Sequence, residues 1–570
     1  MKASDYIVEF LIQNKITDIF GYPGGMVTHL MDSLDRYRDR ITAHLNYHEQ
    51  ACAMAACGWA EMTRLPGVAF ATSGPGATNL LTGVACAYFE SLPCVFITGQ
   101  VNTYEQKGSM RVRQRGFQET DIVSMAKSIT KDAIMVTEVS DLPRVLEYAV
   151  DTAVSGRPGP VLLDIPMDIF RGDVAQTPRA VLPISERGAD GTEPVALEIL
   201  EHLRCAKRPI LLAGHGISVS GTRESFRAFV EMTGIPVVTS MIAVDTIPTA
   251  SPYCYGMIGT YGLRKANFLL DHSDCILTLG SRLDCRQTGV NKSLFAPDAQ
   301  ILRVDIDTGE MENRTNGREK QYALPLQTLL PALLQQAEKV AWDFSDWRSR
   351  CEQVSKLLAG AGCQEPGNLL SETLGKMLPE QAVITTDVGQ SQVWVAQSMP
   401  VKAHQRFLFS GGHGAMGYSL PAAIGAAIAA KRPVICCVGD GGFQMNIQEL
   451  EFLVREHLPV KIVLMNNRAL GMIHHFQEMY FDSNYMQTDD RKGYTVPNFS
   501  SIAKAYGIRV LAPDEITPSV FTDSSPAFIE YMLPQCTHVF PKLGLNKPIH
   551  EQEPPLPQEL TDALVSLCMS

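Results

Sequence analysis

The sequence of 570 residues contains no CxxC pair, no Cys/His cluster and no apolar run long enough to cross a membrane. Its longest weakly apolar stretch, residues 419–430, is shorter than the ~20 residues of a membrane span and contains Pro421. The N-terminal residues lack the apolar segment of a secretory signal. The 14 cysteines are scattered along the chain, which predicts buried, reduced thiols in a cytoplasmic protein rather than a disulfide framework.

Positive charge is also scarce. The 49 Lys and Arg residues face 61 Asp and Glu residues, which gives a net charge of −12 and argues against nucleic acid or an anionic membrane as the main partner. Hydrophobic residues make up 45% and charged residues 19%, a composition that excludes a disordered chain. The length suits three or four domains.

Short apolar segments alternate with helical patterns along most of the chain. They are rich in Val and Ile and end in Gly, Asp, Asn or Ser, as do parallel strands that are buried on both faces. Examples are VAFATSG, CVFITGQ, PVLLDIP, PILLAGHG, CILTLGS, ILRVDID, VICCVGD and KIVLMNN. The pattern predicts an α/β protein built from several doubly wound parallel sheets.

Two polar stretches, residues 170–195 and 340–368, are predicted linkers, and the second also contains a helical segment. The tail after residue 533 is rich in Pro, and we expect it to be extended over the surface. The resulting division has three domains and a tail, at residues 1–170, 190–340, 365–535 and 536–570.

The strongest motif lies in the predicted third domain. The apolar strand VICCV leads into Gly439, Asp440, Gly441 and Gly442, and a helical segment and a second strand then lead to Asn467. This spacing fits one βαβ crossover, which brings both polar side chains to the carboxyl edge of a parallel sheet. Carboxylate and amide oxygens suit Mg²⁺, and the glycines let a diphosphate approach backbone N–H groups. For the GDG alone, a strand-to-helix turn capped by Asp440 would be the simpler interpretation.

Taken together, these features resemble the diphosphate-binding motif of thiamine-diphosphate enzymes, and the resemblance extends over residues 1–535. The chain is similar to the acetolactate synthase (acetohydroxyacid synthase) large-subunit group. The matching segments are FGYPGG (20–25), HEQ (48–50), SGPGATN (73–79), GFQETD (116–121), SGRPGPVLLDIP (155–166), GHGAMGYSLPAAIGA (412–426), GDGGFQM (439–445) and NNRALGM (466–472).

This resemblance implies an order of pyrimidine-binding, central FAD-binding-like and diphosphate-binding domains. It implies a homodimer or homotetramer whose active sites are shared between two chains, and it is compatible with a regulatory small subunit. The implied cofactors are thiamine diphosphate, Mg²⁺ and FAD.

The resemblance also assigns roles to single residues. Glu49 would hydrogen-bond the pyrimidine ring of the cofactor, a role that suits an acid buried before the small-residue stretch ACAMAACGWA. From the residues alone, Glu49 would be a carboxylate on a helix surface. Met416 would hold the cofactor bent, although by itself it is an ordinary core residue. The backbone oxygen of Ala469 would bind Mg²⁺ beside Asp440 and Asn467.

Further positions follow from the same matches. The substrate pocket would be lined by Gly24, Gly25, Phe117 and Gln118. The remaining contacts with thiamine diphosphate would come from Pro23, Val388, Gly389, Gln390, Gly414, Met445, Gly471 and Met472.

The central domain resembles the FAD-binding domain of acetolactate synthases. Glycines after strands would admit phosphate, and an acid at a strand end would hold a ribose hydroxyl. The flavin would be structural, because non-oxidative carboligation transfers no electrons. The matching positions are Arg157, Gly214, Gly216, Gly259, Arg282, Arg286 and Asp305.

Three positions depart from the family pattern. Met167 stands where Lys is usual, Cys285 replaces Asp in the flavin motif, and Phe476 replaces a Trp that is linked to the choice of the second 2-oxo acid. These changes leave the cofactor chemistry intact and leave the acceptor open.

A cluster of cations precedes Phe117, formed by Lys107, Arg111, Arg113 and Arg115. It is either a solvated basic loop or an anion-binding rim suited to a phosphorylated or nucleotide-linked acceptor. His474 and His475 have no carboxylate partner nearby in sequence, and we expect them in a surface turn.

The expected function is decarboxylation of pyruvate followed by carboligation to a second pyruvate, which gives 2-acetolactate. Two alternatives begin with the same decarboxylation of pyruvate. In one the acceptor is a nucleotide-linked keto-sugar, and in the other it is a proton, which gives a simple decarboxylation. A flavoprotein oxidase and a non-catalytic cofactor-binding subunit are further alternatives. The presence of Glu49, Asp440 and Asn467 together argues against the last.

Overall fold

Three six-stranded parallel sheets follow one another along the chain. A computed structural model describes residues 1–182 and 191–569. Alternate strand residues face different hydrophobic cores, as Ile19 and Phe20 do, so helices cover both faces of each sheet. The predicted α/β class with three doubly wound parallel sheets is therefore confirmed. Residues 183–190 of the first predicted linker lie outside the described residues.

The first sheet belongs to the N-terminal region. Its strands are β1 (Asp18–Gly21), β2 (Thr42–Leu45), β3 (Gly67–Ala71), β4 (Cys94–Gln100), β5 (Asp132–Met135) and β6 (Pro160–Pro166). Its helices are α1 (Ala3–Gln13), α2 (Thr28–Arg36), α3 (Glu49–Thr63), α4 (Pro75–Phe89), α5 (Ile122–Ala126), α6 (Leu142–Val154) and α7 (Met167–Arg171). The strand order is β2-β1-β3-β4-β6-β5.

The second sheet has the strand order of dinucleotide-binding folds. Its strands are β7 (Pro209–Ala213), β8 (Val237–Thr239), β9 (Cys254–Met257), β10 (Cys275–Leu279), β11 (Gln300–Asp305) and β12 (Glu319–Ala323). Its helices are α8 (Thr192–Cys205), α9 (Gly216–Val219), α10 (Arg223–Thr233), α11 (Arg264–Asp271), α12 (Cys285–Thr288), α13 (Thr308–Met311) and α14 (Leu326–Ala337). The order β12-β11-β10-β7-β8-β9 reverses direction between β7 and β10, and ligands bind at such switch points.

The third sheet repeats the order of the first. Its strands are β13 (Val383–Thr386), β14 (Arg406–Leu408), β15 (Val434–Gly439), β16 (Val460–Asn466), β17 (Arg509–Leu511) and β18 (Ala527–Met532). Helix α15 (Ser345–Leu357) precedes it, followed by α16 (Pro366–Met377), α17 (Gln390–Ser398), α18 (Ser419–Ala430), α19 (Asp440–Met445), α20 (Leu450–Arg455), α21 (Gly471–Tyr480) and α22 (Phe499–Ala505). The order β14-β13-β15-β16-β18-β17 places β15 and β16 side by side.

Helices α3 and α18 join the first and third sheets through small residues. A Cβ atom at Gly58 would lie 2.2 Å from the carbonyl oxygen of Ala422, and one at Gly425 would lie 1.9 Å from that of Ala55. Only glycine permits this approach of two backbones. The small-residue stretch after Glu49 thus admits another element, as the sequence predicts.

The tail differs from its prediction. Residues 542–553 form a pair of antiparallel two-residue strands, β19 (Lys542–Leu543) and β20 (Gln552–Glu553). The expectation of an extended tail is wrong for the last residues, which form helix α23 (Gln558–Met569). Its apolar residues recur at helical spacing, and Leu564 and Cys568 are buried in the core that also contains Trp347 of α15.

Among the described residues, every helix is too short or too polar to span a lipid bilayer. The cysteines in the same part of the chain are free thiols. Most are buried as predicted, whereas Cys205, Cys285 and Cys536 are exposed.

Candidate active site

Asp440 and Asn467 meet at the carboxyl edge of the third sheet. Strand β15 ends at Gly439 and pairs in parallel with β16, so the residues that follow each strand emerge at the same edge. Asp440 is 2% exposed and Asn467 is 4% exposed. The side-chain NH₂ of Asn467 donates a hydrogen bond of 2.8 Å to Oε1 of Gln390, which leaves Oδ1 of Asn467 available as a ligand.

The Asp440 carboxylate is a buried negative charge. Burial raises the pKa of Asp440 to about 6, against the lowering effect of hydrogen bonds from Tyr494 and from backbone groups that include Ala469. Burial and the adjacent Asp440 raise the pKa of Tyr494. A buried carboxylate beside a free amide oxygen provides hard oxygen donors, and this donor set fits Mg²⁺.

Glycines bring backbone close to other side chains at this edge. A Cβ atom at Gly442 would lie 2.1 Å from Oδ1 of Asp387, and one at Gly471 would lie 1.8 Å from Oε1 of Gln390. A Cβ atom at Gly441 would lie 2.8 Å from the Leu470 side chain. The edge therefore brings glycine backbone close to the Asp440 and Asn467 side chains, which suits a diphosphate group.

Asp387 fixes the segment that carries Met416. Its Oδ1 accepts a hydrogen bond of 2.9 Å from the N–H of Gly417, and its Oδ2 accepts bonds of 2.9 Å from N–H and Oγ of Ser419. The Met416 methyl carbon would be 2.9 Å from a Cβ at Gly441. The structure thus brings Met416 to the GDG turn, as the sequence predicts. Asp387 was not selected from the sequence, although it follows strand β13 in the same way.

The remaining third-domain residues assigned to thiamine diphosphate lie around this edge with different exposure. Gln390 also donates to the carbonyl oxygen of Thr537 at 2.6 Å. Gly389 has φ 145° and Gly414 has φ 74°, and a Cβ at either would meet no atom within 4 Å. Met445 is exposed. Val388 and Met472 are half-buried, and Met472 packs against a hydrophobic core.

Glu49 lies at the beginning of α3 in the first domain. It is buried, and its Oε2 accepts a hydrogen bond of 3.0 Å from the side-chain NH₂ of Asn79. Gly76 lies close by, since a Cβ there would be 3.2 Å from Oε1 of Glu49. The interpretation of Glu49 as a helix-surface carboxylate is therefore wrong. The buried carboxylate has a fixed orientation.

The predicted substrate-pocket residues adjoin Glu49. Gln118 packs on Gly74, where a Cβ would lie 3.0 Å from that of Gln118, two residues before Gly76. Phe117 is 78% exposed. In the Pro23–Gly25 turn, Gly24 packs against Thr72, whereas Gly25 borders open space.

The backbone before Glu49 is tied to the third domain by Glu449. The Glu449 carboxylate accepts hydrogen bonds from the Asn46 side chain at 2.9 Å and from the Tyr47 N–H at 2.8 Å. Burial raises the pKa of Glu449 to about 7, although these hydrogen bonds act in the opposite direction. No local sequence signal marks this long-range contact.

A cavity lies at the switch point of the central sheet. Five of the residues assigned to flavin line it, and these are Arg157, Gly216, Arg282, Arg286 and Asp305. Gly214 and Gly259 do not line the cavity but allow close contacts between backbone segments. A Cβ at Gly214 would lie 2.1 Å from the carbonyl oxygen of Gly280, and one at Gly259 would lie 2.4 Å from that of Arg286.

Charged groups surround this cavity. Arg157 pairs with Asp307 at 2.9 Å and with Glu310 at 2.7 Å, and Arg282 reaches Glu310 at 3.1 Å. Burial raises the pKa of Asp305. The Rossmann strand order with arginines at the switch point fits a dinucleotide such as FAD.

Two acids of the first domain line the same cavity, and the sequence did not reveal them. Burial raises the pKa of Glu61 to about 8 and that of Glu90 to about 7. Glu90 accepts a hydrogen bond of 2.7 Å from the N–H of Gly412. A protonated acid at this position can donate a hydrogen bond.

The basic loop before Phe117 has a defined shape. The Glu119 carboxylate accepts backbone hydrogen bonds from Lys107 at 2.7 Å, from Arg115 at 2.9 Å and from Gly116 at 3.3 Å. The guanidinium groups of Arg111 and Arg113 are exposed and form no ion pair with any residue that the structure describes.

The expected surface turn at His474 and His475 is wrong. Both residues lie in α21 and are buried. The His474 ring stacks on Tyr485 at 3.9 Å, and its Nε2 lies 3.4 Å from Oδ2 of Asp489. His475 packs edge-on against His538, and burial lowers the pKa of His475 to about 4. The carboxylate partner comes from residues outside the helix.

The three departures from the family pattern occupy different sites. Met167 begins α7 and is half-buried, Cys285 is exposed at the first residue of α12, and Phe476 is 47% exposed on α21. Phe476 stands on the helix that begins at the sheet edge of Asp440 and Asn467.

Family models match all three domains. The description "Thiamine pyrophosphate enzyme, N-terminal TPP binding domain" matches residues 1–125, the central domain of the same enzymes matches 197–333, and their C-terminal TPP binding domain matches 387–535. The acetolactate synthase large subunit of Lactococcus lactis is 36% identical, and the alignment covers 97% of this chain and 95% of that protein. The chain belongs to the acetolactate synthase family.

Other acetolactate synthases show the same full-length similarity. The isozyme 2 large subunit of Escherichia coli is 34% identical over 95% of this chain and 97% of its own. The chloroplastic acetolactate synthase 1 of rice is 37% identical over 95% of this chain and 86% of its own. The predicted family and the prediction of a thiamine-diphosphate enzyme are thereby confirmed.

Proposed function

We propose that this member of the acetolactate synthase family joins two molecules of pyruvate to form 2-acetolactate and CO₂. In this reaction one carboxyl group leaves as CO₂, and one carbon–carbon bond forms to the carbonyl carbon of the second pyruvate. The observation that carries the proposal is the buried pair Asp440 and Asn467 at one edge of a parallel sheet. Relatives that are named acetolactate synthases support the substrate.

Asp440 and Asn467 would hold Mg²⁺ through one carboxylate oxygen and the free amide oxygen, with the carbonyl oxygen of Ala469 as a third ligand. Mg²⁺ would supply the positive charge that balances the buried Asp440 carboxylate. The ion would in turn attract the diphosphate toward the backbone at Gly439, Gly441 and Gly442.

Thiamine diphosphate supplies a nucleophilic carbon and an electron sink for decarboxylation when it is bound. Glu49 would hold a proton against the pyrimidine ring, with its carboxylate oriented by Asn79. Met416, fixed through Asp387, would press on the middle of the cofactor. The other contacts assigned to the cofactor would come from Pro23, Gly24, Val388, Gly389, Gln390, Gly414, Met445, Gly471 and Met472.

The substrate would lie between Gly25, Phe117 and Gln118. Gly25 borders open space, and the Phe117 ring is exposed. If a second copy covers these residues and excludes water, addition to the second carbonyl is favoured over protonation.

The separation of the site into a Glu49 part and an Asp440 part supports a dimer. Within one chain, Glu49 is hydrogen-bonded to Asn79 of its own domain, whereas Met416 and Asp440 contact residues of the third domain. Exposed apolar side chains flank both halves, and these are Met110, Val112, Phe117, Met445, Ile473 and Phe476. A second copy would cover these side chains and bring its Glu49 to this Asp440 edge. A tetramer of such dimers and a smaller regulatory partner are compatible with relatives that are named large subunits.

The central cavity would hold FAD as a structural group. Its arginines suit a pyrophosphate, and Asp305 at the end of β11 suits a ribose hydroxyl. The carboligation step takes no electrons from it.

A second candidate acceptor is a phosphorylated or nucleotide-linked keto-sugar. The exposed guanidinium groups of Arg111 and Arg113, which form no ion pair with a described residue and shortly precede the exposed Phe117 in sequence, support it. The test is competition between pyruvate and such a keto-sugar in the wild type and in an R111A/R113A variant. An unchanged affinity for the phosphorylated acceptor in this variant contradicts the hypothesis that this loop is an anion-binding rim.

The dependence of activity on cofactors tests the main proposal. Pyruvate consumption must vanish after Mg²⁺ and thiamine diphosphate are removed with a chelator and gel filtration, and it must return only when both are restored. Consumption that survives their removal contradicts the proposed function.

A further inference from the structure

Three side chains that can bind a metal ion meet outside the sites described above. Asp271, His272 and His550 each offer one ligand atom, and these atoms lie within 4.8 Å of one another. Among the described residues, no other group of three or more His, Cys, Asp or Glu side chains has this arrangement. None of the three is assigned to thiamine diphosphate, Mg²⁺ or flavin, so the proposed reaction leaves this cluster without a role.

His272 is buried directly after α11 and has one ring nitrogen without a partner. Its Nδ1–H donates a hydrogen bond of 2.9 Å to the carbonyl oxygen of Phe268, and its ring stacks on that of Phe268 at 4.2 Å. Because Nδ1 carries the proton, Nε2 carries a lone pair, and no described residue donates a hydrogen bond to it. Histidines that bind metals usually donate their other ring N–H to a carbonyl or carboxylate oxygen in this way.

Asp271, the last residue of α11, directs one carboxylate oxygen at His550. Its Oδ1 accepts a hydrogen bond of 3.1 Å from the N–H of Ala296, and its Oδ2 lies 2.5 Å from Nδ1 of His550. The ring centroids of His550 and His272 lie 5.0 Å apart. The side chains of Asp271 and His550 are 7% and 18% exposed, so the cluster is largely shielded from solvent.

The tail holds His550 against α11 through contacts on both sides of it. Ile549 is buried in the hydrophobic core that α11 helps to form. The Gln552 side-chain NH₂ donates a hydrogen bond of 2.7 Å to the carbonyl oxygen of Gly262, and Arg264 of α11 donates one of 3.2 Å to the carbonyl oxygen of Gln552. Side chains that are positioned by such contacts need little rearrangement to bind an ion.

We propose that Asp271, His272 and His550 form a Zn²⁺ site that joins the tail to the central domain. The ligands are Oδ2 of Asp271, Nε2 of His272 and Nδ1 of His550. Metal–ligand bonds of about 2.0–2.1 Å require ligand atoms about 3.3 Å apart, so small rotations of the three side chains suffice. The ion takes the place of the proton between His550 and Asp271. That proton moves to Nε2 of His550, so the ring binds as a neutral imidazole.

This set of ligands favours Zn²⁺ over Mg²⁺. Imidazole nitrogens suit Zn²⁺, whereas Mg²⁺ prefers oxygen ligands in octahedral geometry. Two imidazoles and one carboxylate leave the fourth tetrahedral position to water. The site therefore differs in chemistry from the edge of Asp440 and Asn467. The ion would stabilise the contact between α11 and the tail without entering the proposed reaction.

The test measures Zn²⁺ binding to the full-length wild type, H272Q and H550Q. The control is H202Q, which removes an exposed histidine of α8 that lies 3.9 Å from Glu198. Each protein is stripped of metal with a chelator, and Mg²⁺ and thiamine diphosphate are then added in excess to fill the Asp440 site. Zn²⁺ affinity is measured by competition with a chromophoric chelator. The ligand types are read from the absorption spectrum of bound Co²⁺.

We expect the wild type and H202Q to bind one Zn²⁺ per chain with the same affinity. H272Q and H550Q each lower this affinity about tenfold or more, because only two of the three ligands remain. Co²⁺ in the wild type gives the intense d–d bands of a four-coordinate site with nitrogen and oxygen ligands, and both variants lose these bands. Zn²⁺ raises the Tm of the wild type and H202Q but not that of H550Q, because the ion binds only the folded state.

Other results overturn the assignment. These are a Zn²⁺ affinity that is unchanged in H272Q and H550Q, several equivalent ions per chain, or a sulfur-to-cobalt charge-transfer band, which places the ion at a cysteine. Circular dichroism and gel filtration show whether each variant folds. If one does not, the other decides, and the Co²⁺ spectrum of the wild type needs no variant. Acetolactate formation is not measured here, so failure of the proposed function leaves this test intact.

Discussion

The phenol O–H of Tyr494 donates a hydrogen bond of 3.1 Å to Oδ2 of Asp440. Tyr494 belongs to the loop between α21 and α22, far from Asp440 in sequence. The bond favours the ionised carboxylate and so opposes the burial that raises the pKa of Asp440 to about 6. Tyr494 therefore helps to keep the proposed Mg²⁺ ligand deprotonated.

Replacement of Tyr494 with Phe is expected to weaken Mg²⁺ binding in a pH-dependent way. Loss of the bond moves the Asp440 pKa upward, so that more of the carboxyl is protonated near pH 6.5 than near pH 8. The Mg²⁺ concentration for half-maximal activity rises about tenfold at pH 6.5 and less at pH 8. The control is Y148F, which removes a surface Tyr–Asp hydrogen bond of 3.0 Å to Asp132. An equal effect at both pH values contradicts this role.

Replacement of Glu49 with Gln is expected to lower turnover about 100-fold or more, the usual cost of losing a proton-transfer group. Gln keeps the size of the side chain, and Asn79 can still hold it. Thiamine diphosphate binding, measured by calorimetry with Mg²⁺ present, changes far less than turnover. E147Q, which removes the charge of the partner of the exposed Arg179, is the control. Retained turnover removes Glu49 from the mechanism.

Replacement of Asp387 with Ala leaves the N–H groups of Gly417 and Ser419 without their acceptor. We expect thiamine diphosphate affinity to fall more than tenfold, because about 1–3 kcal/mol is lost for each unsatisfied buried group and the Met416 segment loses its anchor. The exposed Asp343, which accepts a bond of 3.0 Å from the Ser345 N–H, gives the control D343A. Unaltered cofactor affinity in D387A shows that Met416 is held by other contacts.

Replacement of Glu61 with Gln is expected to make stability less dependent on pH. Glu61 has a folded-state pKa of about 8, against an ordinary value of 4.5. Between these values the unfolded chain releases a proton that the folded chain keeps, so folding stability falls as pH rises from 4.5 to 8. The loss is at most about 1.4 kcal/mol per pH unit for one group.

Denaturant unfolding at pH 5 and pH 8 measures this effect. The difference in unfolding free energy between E61Q and the wild type must grow in favour of E61Q at pH 8. The charge of Glu90 contributes to the raised pKa of Glu61, so the change belongs to this pair of acids. The exposed Glu231 gives the control E231Q. A constant difference across this range is inconsistent with a buried, protonated Glu61.

The sequence predicts the sheets and the main elements of the candidate site because these depend on local patterns. The strands VICCV and KIVLM are short apolar runs that end in GD and NN, and adjacency of β15 and β16 follows from one crossover. The family resemblance adds Glu49 and Met416. Their precise roles remain predictions.

The missed features depend on contacts between distant residues. Tyr494 reaches Asp440 from a loop, and Glu449 reaches Tyr47 from another domain. The prediction of a surface turn at His474 was wrong because its carboxylate partner, Asp489, comes from a loop that follows the helix. The final helix was missed because the Pro-rich residues before it dominated the interpretation of the tail. Such contacts have no periodic signal in the sequence.

The most direct test of the central claim is product analysis by NMR with ¹³C-labelled pyruvate, thiamine diphosphate, Mg²⁺ and FAD. The account predicts that 2-acetolactate and CO₂ appear together in equal amounts while two pyruvate molecules are consumed for each. CO₂ with acetaldehyde or acetate, and no 2-acetolactate, would contradict it.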